Sequence, residues 1–201
     1  MADHDQKDIH VILLIGAPGA GKSTLCQRFA KEQGYFHLSV GDYLRTLCNT
    51  NEQQDPKVLG GLTLEHLTKM LEARTLIEAE VLVSIIAYKL EQEQNQGHLK
   101  FVIDGFPRTE EAAEKFDRKV CRPAFVCLLH CEARVAKDRF IRRQRDPGDD
   151  AAMFEKRQSE HMENLSPILR HYKNNKLIDA GGSADDMYAS FLRVVSPSGV
   201  S

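Results

Sequence analysis

The 201-residue sequence lacks the features that would place it in several broad classes of protein. Its longest apolar runs fall far short of the ~20 residues that a membrane-spanning helix needs. Its 27 basic and 29 acidic residues give a formal net charge of −2, which leaves no broad basic surface for nucleic acid. The sequence also contains no internal repeat or low-complexity tract. We therefore expect neither a membrane span nor a nucleic-acid partner.

The cysteines lack the pattern that is typical of disulfides or of a zinc site. The chain has five cysteines, an odd number, and none forms a C-x-x-C pair. Cys127 and Cys131 have three residues between them, which is only a weak metal signal, and Cys127 faces the core if residues 125–130 form a strand. This pattern favours the reduced, mostly buried thiols of a cytosolic protein over disulfides or a zinc site.

The start of the sequence shows no targeting pattern. Residues 1–8 are polar and partly acidic. They have neither the basic and apolar layout of a secretory signal nor the arginine-rich, acid-poor layout of a transit peptide. We expect a cytoplasmic protein, and a share in the nucleus stays open.

The length and the 42% hydrophobic content fit a single domain, residues 1–201, with a real core. Short, unbroken apolar runs predict strands that are buried on both faces of a parallel sheet. The predicted strands are 9–15, 35–39, 101–104, 124–130 and 176–179. Helical patterns lie between them, so the sequence predicts a doubly wound α/β fold with its crevice at the carboxyl ends of the strands.

Two of the helical patterns are regular enough to define an inner face. The predicted inner residues are Leu62, His66 and Met70 in residues 62–71, and Val81, Ile85 and Leu90 in residues 78–92. Residues 46–61 and 142–152 are instead polar or charged and contain proline and glycine. Such excursions beside a binding crevice are candidate lids.

Residues 16–24 are the most informative segment, Gly-Ala-Pro-Gly-Ala-Gly-Lys-Ser-Thr. They match the phosphate-binding pattern G-x-x-x-x-G-K-[ST] at every fixed position, between an apolar run and a helix-forming run. Glycines let successive N–H groups wrap a polyphosphate at a helix N-terminus, where Lys22 reaches the β- and γ-phosphates and Ser23 or Thr24 lies beside Mg²⁺. The rest of the predicted cradle is Gly16, Ala17, Pro18, Gly19, Ala20 and Gly21. The alternative is an ordinary glycine turn in a βα unit.

Residues 101–108, Phe-Val-Ile-Asp-Gly-Phe-Pro-Arg, place an acid and an arginine after an apolar strand. Asp104, at the strand end, suits a group that holds Mg²⁺ or its water shell. Gly105 and Pro107 turn the chain, so that Arg108 points into the crevice. The plainer interpretations are a turn or cap residue for Asp104 and a surface cation for Arg108.

A third segment, residues 37–45, is His-Leu-Ser-Val-Gly-Asp-Tyr-Leu-Arg. With the other two, it resembles the nucleoside monophosphate kinases, whose patterns are G-x-P-G-x-G-K, H-L-S-x-G-D-x-L-R and D-G-[FY]-P-R. All three occur in the family's order and at similar spacing, over nearly the whole chain. The resemblance implies a monomeric P-loop kinase with an acceptor-binding helical lobe at about 39–75 and a short lid at about 143–152.

The resemblance also implies a role for each matching residue, with Mg²⁺ and ATP as cofactor and donor. The acceptor nucleotide is assigned to Ser39, Leu44, Arg45, Leu76, Ile77, Gly105 and Arg108. ATP is assigned to residues 16–24 with Arg139 and Arg145, and the Mg²⁺ site to Ser23 and, through water, Asp104. Catalysis is assigned to Lys22, Arg108, Arg143 and Arg157. Arginine forks bind phosphate oxygens bidentately and stay charged, which suits phosphoryl transfer. For Arg143 and Arg157, the alternative is solvated helix charge.

The sequence departs from the family pattern at several places. The lid is shorter than the family's G-R-x-D-D segment, with Arg145 nearest to the place of its arginine. Ser23 stands where these kinases usually have a glycine, and it therefore resembles the direct Mg²⁺ ligand of other P-loop proteins. The loop beside the acceptor base carries Arg74 and Glu78 where the family favours Gly and Pro. Ala112 replaces a Gln or Asn that hydrogen-bonds the acceptor base, and losing such a bond lowers selectivity.

The leading hypothesis is an ATP-dependent nucleoside monophosphate kinase. Phe106, Cys26 and Cys131 favour the UMP-CMP kinase branch, and adenylate kinase acting on AMP is the alternative. Ala112 and the short lid motivate a second hypothesis, a weakly active nucleotide-binding regulatory relative. A P-loop kinase for a small non-nucleotide acceptor is the third, although the H-L-S-x-G-D segment supplies an acceptor-phosphate site that such an enzyme would not need.

Overall fold

The computed structural model describes residues 9–49, 58–59, 61–143 and 149–195. Within these ranges the chain alternates between strands and helices. The strands are β1 (His10–Gly16), β2 (Phe36–Ser39), β3 (Lys100–Asp104), β4 (Phe125–His130) and β5 (Lys176–Asp179). The helices are α1 (Lys22–Gln33), α2 (Val40–Asn49), α3 (Leu64–Glu72), α4 (Ala79–Asn95), α5 (Glu110–Lys119), α6 (Ala133–Arg143), α7 (Ala151–His171) and α8 (Ala184–Val195).

The five strands form one parallel sheet in the order β2-β3-β1-β4-β5, with helices on both faces. The predicted α/β fold and five-stranded parallel sheet are confirmed. Each predicted strand bound lies within one residue of the observed one. The agreement is close because a strand covered on both faces carries no polar side chains and stands out as an apolar run.

The central strand β1 shows this directly. Val11, Leu13 and Ile15 enter the hydrophobic core on one face of the sheet. Ile12 and Leu14 enter the core on the other face. All five are at most 4% exposed, so neither face of β1 is open to water. Cys127 of β4 is also fully buried, as predicted.

The predicted inner face of α3 is wrong at His66, which is exposed. Leu67 is fully buried instead, and Leu64 and Leu71 pack against the same core. The helix begins at Leu64, where the hydroxyl of Thr63 accepts a hydrogen bond from the backbone N–H of His66. The leucines at three-and-four spacing therefore turn inward, because burying a leucine is more favourable than burying an imidazole.

The predicted inner face of α4 is largely confirmed. Ile85 and Leu90 are buried, and Val81 is partly buried against the same core. Leu82, Val83 and Ile86 are buried as well, so this helix contacts the core over more of its circumference than one stripe.

Parts of both predicted excursions lie outside the described residues, namely residues 50–57 and 60 of the lobe and residues 144–148 of the lid, which include Arg145. The domain bounds and those of the lobe and lid stay predictions. In the part of the chain that is described, no helix is long and apolar enough to cross a membrane.

The strand register brings the three sequence motifs to one edge of the sheet. Asp104, at the end of β3, is the register partner of Leu14 in β1 and of Ser39 at the end of β2. Gly16, which begins the glycine loop, is paired with Leu129 of β4. The carboxyl ends of β1, β2 and β3 therefore form the floor of one crevice, as expected for this fold.

Candidate active site

The glycine loop joins the end of β1 to the first turn of α1. Lys22 is the first residue of α1, and its Nζ donates hydrogen bonds to the carbonyl oxygens of Gly16 and Ala17 at 2.7 and 2.8 Å. The ammonium group thus lies within the loop, next to the N-terminus of the helix. Cation and helix dipole act on the same space, which suits an anion.

Two glycines are needed for the shape of this loop. Gly19 has a φ of 82°, and a Cβ atom there would lie 2.0 Å from the carbonyl oxygen of Ala136 in α6. Gly21, the N-cap residue of α1, has a φ of 93°. Other residues adopt these conformations only with strain. The loop consequently packs directly on α6, the helix that carries Arg139 and Arg143.

Asp104 anchors the centre of the crevice. It is 4% exposed. Its Oδ2 lies 2.6 Å from Nε2 of His37, and its Oδ1 accepts a hydrogen bond of 3.3 Å from the hydroxyl of Ser23. The resulting contact ties β3 to β2 and to the glycine loop. His37 belongs to the motif of residues 37–45, but its role becomes visible only in the tertiary structure.

The donor atoms around Asp104 fit a hard divalent cation. The Ser23 hydroxyl and the Asp104 carboxylate both supply oxygen, the ligand type that Mg²⁺ prefers. Mg²⁺ usually keeps several of its waters, and a site with only two protein ligands leaves room for them. The Sγ atom of Cys26 also lies within 4.8 Å of ligand atoms of His37 and Asp104. Burial raises the pKa of this thiol well above its ordinary value, so Cys26 stays protonated and is a poor ligand.

Two cavities open side by side at this edge of the sheet. The first, of about 440 Å³, extends along the glycine loop, and the second, of about 630 Å³, lies between α2, α3 and α7. Both are lined by Arg45, Arg108, Arg157 and Glu160, which therefore mark their junction. Two adjoining cavities with arginines at the junction can hold two anionic ligands with their charged ends together.

Most of the predicted site residues line the first cavity. They are Gly16, Pro18, Gly19, Gly21, Lys22, Ser23, Thr24, Ser39, Arg45, Leu76, Asp104, Gly105, Arg108, Arg139, Arg143 and Arg157. Leu44 and Ile77 line the second cavity instead. Ala17 and Ala20 are buried and line neither, although Ala17 supplies the carbonyl bonded by Lys22.

Arg108 lies where the two cavities meet. Its Nε donates a hydrogen bond of 3.3 Å to the carbonyl oxygen of Gly105, which turns the side chain back over the crevice. The guanidinium is open to solvent inside the crevice but enclosed by its walls. Burial within those walls, together with the charge of Arg45, lowers the pKa of Arg108, while Glu160 opposes this effect. Arg45 itself pairs with Asp42.

Arg143 and Arg157 converge on one carboxylate. Asp149, whose side chain is fully buried, lies 3.5 Å from Nε of Arg143 and 3.9 Å from Nη1 of Arg157. Both guanidinium groups also lie over the ring of Phe140, at 4.4 and 5.6 Å from its centroid. Asp149 has a third partner, Arg74, at 3.6 Å. Within this cluster, Arg143 and Arg157 line the first cavity, and Arg74 lines the second.

Arg139 binds the loop that follows β5 rather than Asp149. Its Nη1 donates to the carbonyl oxygen of Ala180 at 2.8 Å, and its Nη2 donates to that of Gly182 at 3.3 Å. It therefore ties α6 to the loop after β5, while still lining the first cavity. Arg142, its crowded neighbour in the sequence, is exposed and lines neither cavity.

The crevice lowers the pKa of two further groups. Burial lowers the pKa of Lys22 to about 8, although Asp104 opposes this effect, and Arg108 and Arg143 add to it. Burial and the charge of Lys22 lower the pKa of His161 to about 4, so its imidazole is neutral at pH 7. The cations gathered in this crevice suit anionic ligands, whose charge would raise the pKa of Lys22.

Sequence reasoning missed several residues of this crevice. Glu160, His161, Asn164 and Ile168 line the first cavity along one side of α7. Their spacing from Arg157, at three, four, seven and eleven residues, follows one face of a helix, and this periodicity could have identified them. Nothing in the local sequence pointed to Arg74 or Asp149 as partners, because they are far apart along the chain.

Comparison with known proteins identifies a matching family and several relatives of this chain. The adenylate kinase family model matches residues 14–177 of the chain. UMP-CMP kinase of Rattus norvegicus is 29% identical over 200 residues, covering 94% of this chain and 98% of that protein. UMP-CMP kinase of Homo sapiens is 28% identical with the same coverage. Uridylate kinase of Schizosaccharomyces pombe is 30% identical over 196 residues, again covering 94% and 98%.

Proposed function

Because the chain belongs to the adenylate kinase family, we propose that it transfers the γ-phosphoryl group of Mg²⁺-ATP to UMP or CMP, giving ADP and a nucleoside diphosphate. Membership of this family makes it an ATP-dependent nucleoside monophosphate kinase. The pyrimidine acceptor rests on similarity to pyrimidine kinases along nearly the full length of the chain. The observation that carries the proposal is the pair of adjoining cavities with Arg45, Arg108 and Arg157 at their junction.

On the donor side, the glycine loop and Lys22 bind the triphosphate. The N-terminus of α1 and the ammonium group both attract the β- and γ-phosphates, and the loop packs closely on α6. Ser23 and Asp104 would hold Mg²⁺ or its waters, and the ion supplies charge neutralisation of the phosphates when it is bound. His37 keeps the Asp104 carboxylate oriented toward the loop.

On the acceptor side, Arg45 and Arg108 bind the monophosphate by charge-assisted hydrogen bonds. Leu44, Leu76 and Ile77 give the second cavity an apolar wall on which a base can lie. Ala112 lines the same cavity and offers a methyl group where the family places an amide. Discrimination between bases therefore depends on the shape of the second cavity and on its remaining polar groups. We expect it to be weaker than in a site with an amide at this position.

Between the two nucleotides, Arg143 and Arg157 stabilise the charge on the transferred phosphoryl group. Phosphoryl transfer requires positioned cations more than covalent chemistry. Both guanidinium groups are held in place, by Asp149 on one side and the ring of Phe140 on the other. Pre-positioned cations lose little entropy when the phosphates arrive.

An acceptor panel tests the proposal. Release of ADP from Mg²⁺-ATP would be measured with UMP, CMP, dCMP, AMP and GMP. We expect the highest kcat/KM with UMP or CMP. A higher kcat/KM with AMP would contradict the pyrimidine acceptor and support an adenylate kinase, the alternative that the family name favours. ATP binding without turnover of any acceptor would instead support the regulatory relative.

The same panel applied to Ala112→Gln tests which position reads the base. Ala112 is 3% exposed and lies on the wall of the second cavity. A glutamine there restores the family's amide, so the ratio of kcat/KM between acceptors should change by about tenfold, the value of one discriminating hydrogen bond. An unchanged ratio in a folded variant would show that position 112 does not contact the base.

The pKa of Lys22 predicts how ATP affinity depends on pH. In the free protein this pKa is about 8, and a bound triphosphate raises it, so binding takes up a proton above that pH. ATP affinity should be constant just below pH 8 and fall by up to about tenfold per pH unit above it. Calorimetry in two buffers of different ionisation enthalpy would measure the proton uptake. Lys22→Arg, which does not titrate, should flatten the profile. The same slope in that variant would contradict the assignment.

We also propose a monomer in the cytoplasm. In the described ranges, the exposed large apolar side chains are Leu76, Leu99, Met162 and Leu177, which lie on four different elements and connections rather than in one patch. Light scattering and a fluorescent fusion would test the two statements separately. A stable dimer would contradict the first, and a membrane or organelle pattern would contradict the second.

A further inference from the structure

Arg74 has an unusual backbone for its residue type. In the described part of the chain it is the one non-glycine residue with a positive φ, of 53°. This left-handed conformation suits glycine, and a long side chain occupies it only with strain. Residues in such conformations persist where the surroundings hold them, and they cluster at functional sites. The position follows α3 and lies directly before the Thr75–Leu76–Ile77 wall of the second cavity.

The side chain of Arg74 lines that cavity and reaches the segment just before α7. Arg74 lines it from the acceptor lobe, and Met153, Lys156 and Arg157 line it from α7. Nη1 of Arg74 reaches Oδ1 of Asp149, just before α7, at 3.6 Å. The Arg74 side chain is 19% exposed and that of Asp149 is fully buried, so this ion pair is shielded from water. It joins two segments that are far apart in sequence.

Asp149 also contacts the two arginines that we assign to phosphoryl transfer, Arg143 and Arg157. Its two carboxylate oxygens lie within 4 Å of Arg143 in α6 and Arg157 in α7 as well as of Arg74. Phe140, below the two guanidinium groups, packs on Phe154 with ring centroids 5.7 Å apart. The Cβ of Phe140 is also beside Gly19 of the glycine loop. A continuous packed chain therefore runs from the acceptor lobe to the triphosphate cradle.

The positive charges of the three arginines explain why the Asp149 carboxylate has to be held between them. Three guanidinium groups repel one another, and burial, Arg108, Arg74 and Arg143 all lower the pKa of Arg157, against the attraction of Asp149. If the Asp149 carboxylate turned toward solvent, it would no longer offset this repulsion, and the guanidinium groups would move apart. Arg74 attracts Asp149 from the side of the acceptor lobe, and it thereby helps to keep the carboxylate between Arg143 and Arg157.

We propose that Arg74 is a positioning residue of the phosphoryl-transfer reaction. Through Asp149, it fixes Arg143 and Arg157 relative to the acceptor lobe, so that both guanidinium groups face the phosphoryl group when the acceptor is bound. The inference rests on the proposed function. It assigns a role to Arg74, which lines the second cavity but not the first, so we place Arg74 outside the donor site.

The test compares substitutions that separate charge from backbone strain. Arg74→Met keeps the length and the backbone conformation of the residue but removes the charge. Arg74→Lys keeps the charge, and it can replace a contact made through one nitrogen at 3.6 Å. We expect Arg74→Met to lower kcat by about tenfold, because small misplacements of catalytic groups have effects of that order or larger. Arg74→Lys should stay within about threefold of the original kcat.

Two further readouts exclude a purely structural role. The dissociation constant of ATP, measured without acceptor, should change less than about twofold in both variants. Arg74→Gly relieves the backbone strain, so its thermal midpoint should be no lower than that of Arg74→Met, yet its kcat should fall equally. In an Asp149→Asn background, Arg74→Met should have almost no further effect on kcat, because the two residues act as one unit.

Each failure has a distinct meaning. If the unaltered protein transfers no phosphoryl group to any acceptor, the proposed function fails. If it is active but Arg74→Met matches its kcat, the positioning role fails alone. Equal losses in Arg74→Lys and Arg74→Met would show that charge does not carry the effect. Independent losses in the double variant with Asp149→Asn would show that Asp149 is not the intermediary.

Discussion

Lys22→Ala is expected to lower kcat by about a thousandfold, the loss typical when one preorganised charge is removed from a transition state. Nζ of Lys22 is held by two carbonyl oxygens of its own loop, so the ammonium group is in place before any nucleotide binds. In the proposed function, this charge acts on the β- and γ-phosphates of ATP, and alanine provides no charge in its place. Steady-state ADP release at saturating ATP and acceptor measures the effect.

The matched control for Lys22→Ala is Lys31→Ala. Lys31 lies in the last turn of the same helix, α1, and is exposed to solvent. That variant should keep full activity and an unchanged thermal midpoint. A Lys22→Ala protein that folds normally and retains more than about a tenth of the turnover would contradict the role of the lysine in phosphoryl transfer.

Arg108→Ala is expected to lower kcat/KM for the acceptor by about a hundredfold, the upper range for losing charge-assisted hydrogen bonds to a phosphate. Arg108 lies at the junction of the two cavities, and its guanidinium is held over the crevice by the carbonyl of Gly105. ATP binding in the absence of acceptor should change less than about threefold, because the triphosphate cradle is formed by other residues. Kinetics with varied acceptor, and calorimetry with ATP alone, separate the two effects.

Arg118→Ala is the control for Arg108→Ala. Arg118 belongs to α5, the helix that follows Arg108, and its side chain is 79% exposed. Its removal should leave both constants unchanged. Arg108→Lys should recover only part of the activity, because an ammonium group cannot make the planar, bidentate contact. Equal losses of ATP affinity and acceptor use in Arg108→Ala would contradict the assignment of this residue to the acceptor.

The two alanine variants also separate an enzyme from a nucleotide-binding relative. A kinase loses turnover in Lys22→Ala and acceptor use in Arg108→Ala, with different effects on the two ligands. A relative that only binds nucleotides would have no turnover to lose. Lys22, Asp104 and Arg108 all line the crevice at the carboxyl ends of the strands, and membership of the adenylate kinase family supports the enzyme.

The predictable parts of this protein are those set by contiguous residues. The glycine loop is specified within nine consecutive positions, since the turn, the lysine and the helix N-terminus all follow from neighbours in the chain. The strands were equally clear, because a strand covered on both faces needs an unbroken apolar run. Asp104 could be placed because it ends such a strand, and Arg108 because it follows after a short turn.

Prediction failed where a side chain had a choice of neighbours. His66 fits the helical spacing of an inner face, yet Leu67 is buried beside it, since a one-residue rotation of α3 puts leucines inward. The arginines of α6 were crowded in the sequence, and only packing distinguishes Arg139, which binds the loop after β5, from Arg143, which contacts Asp149. Arg145 lies outside the described residues, so its assignment stays a prediction.

The sequence by itself determined the class of chemistry. Local motifs placed a phosphate cradle, an acid and an arginine at the ends of buried strands, because strand and turn preferences act over a few residues. Only the tertiary structure decided how these parts cooperate. Arg74 meets Asp149 although a long stretch of chain separates the two residues, and His37 of β2 contacts Asp104 of the neighbouring strand β3. Such contacts depend on how whole helices and strands pack, because electrostatic pairing between distant residues leaves no pattern in their local sequence.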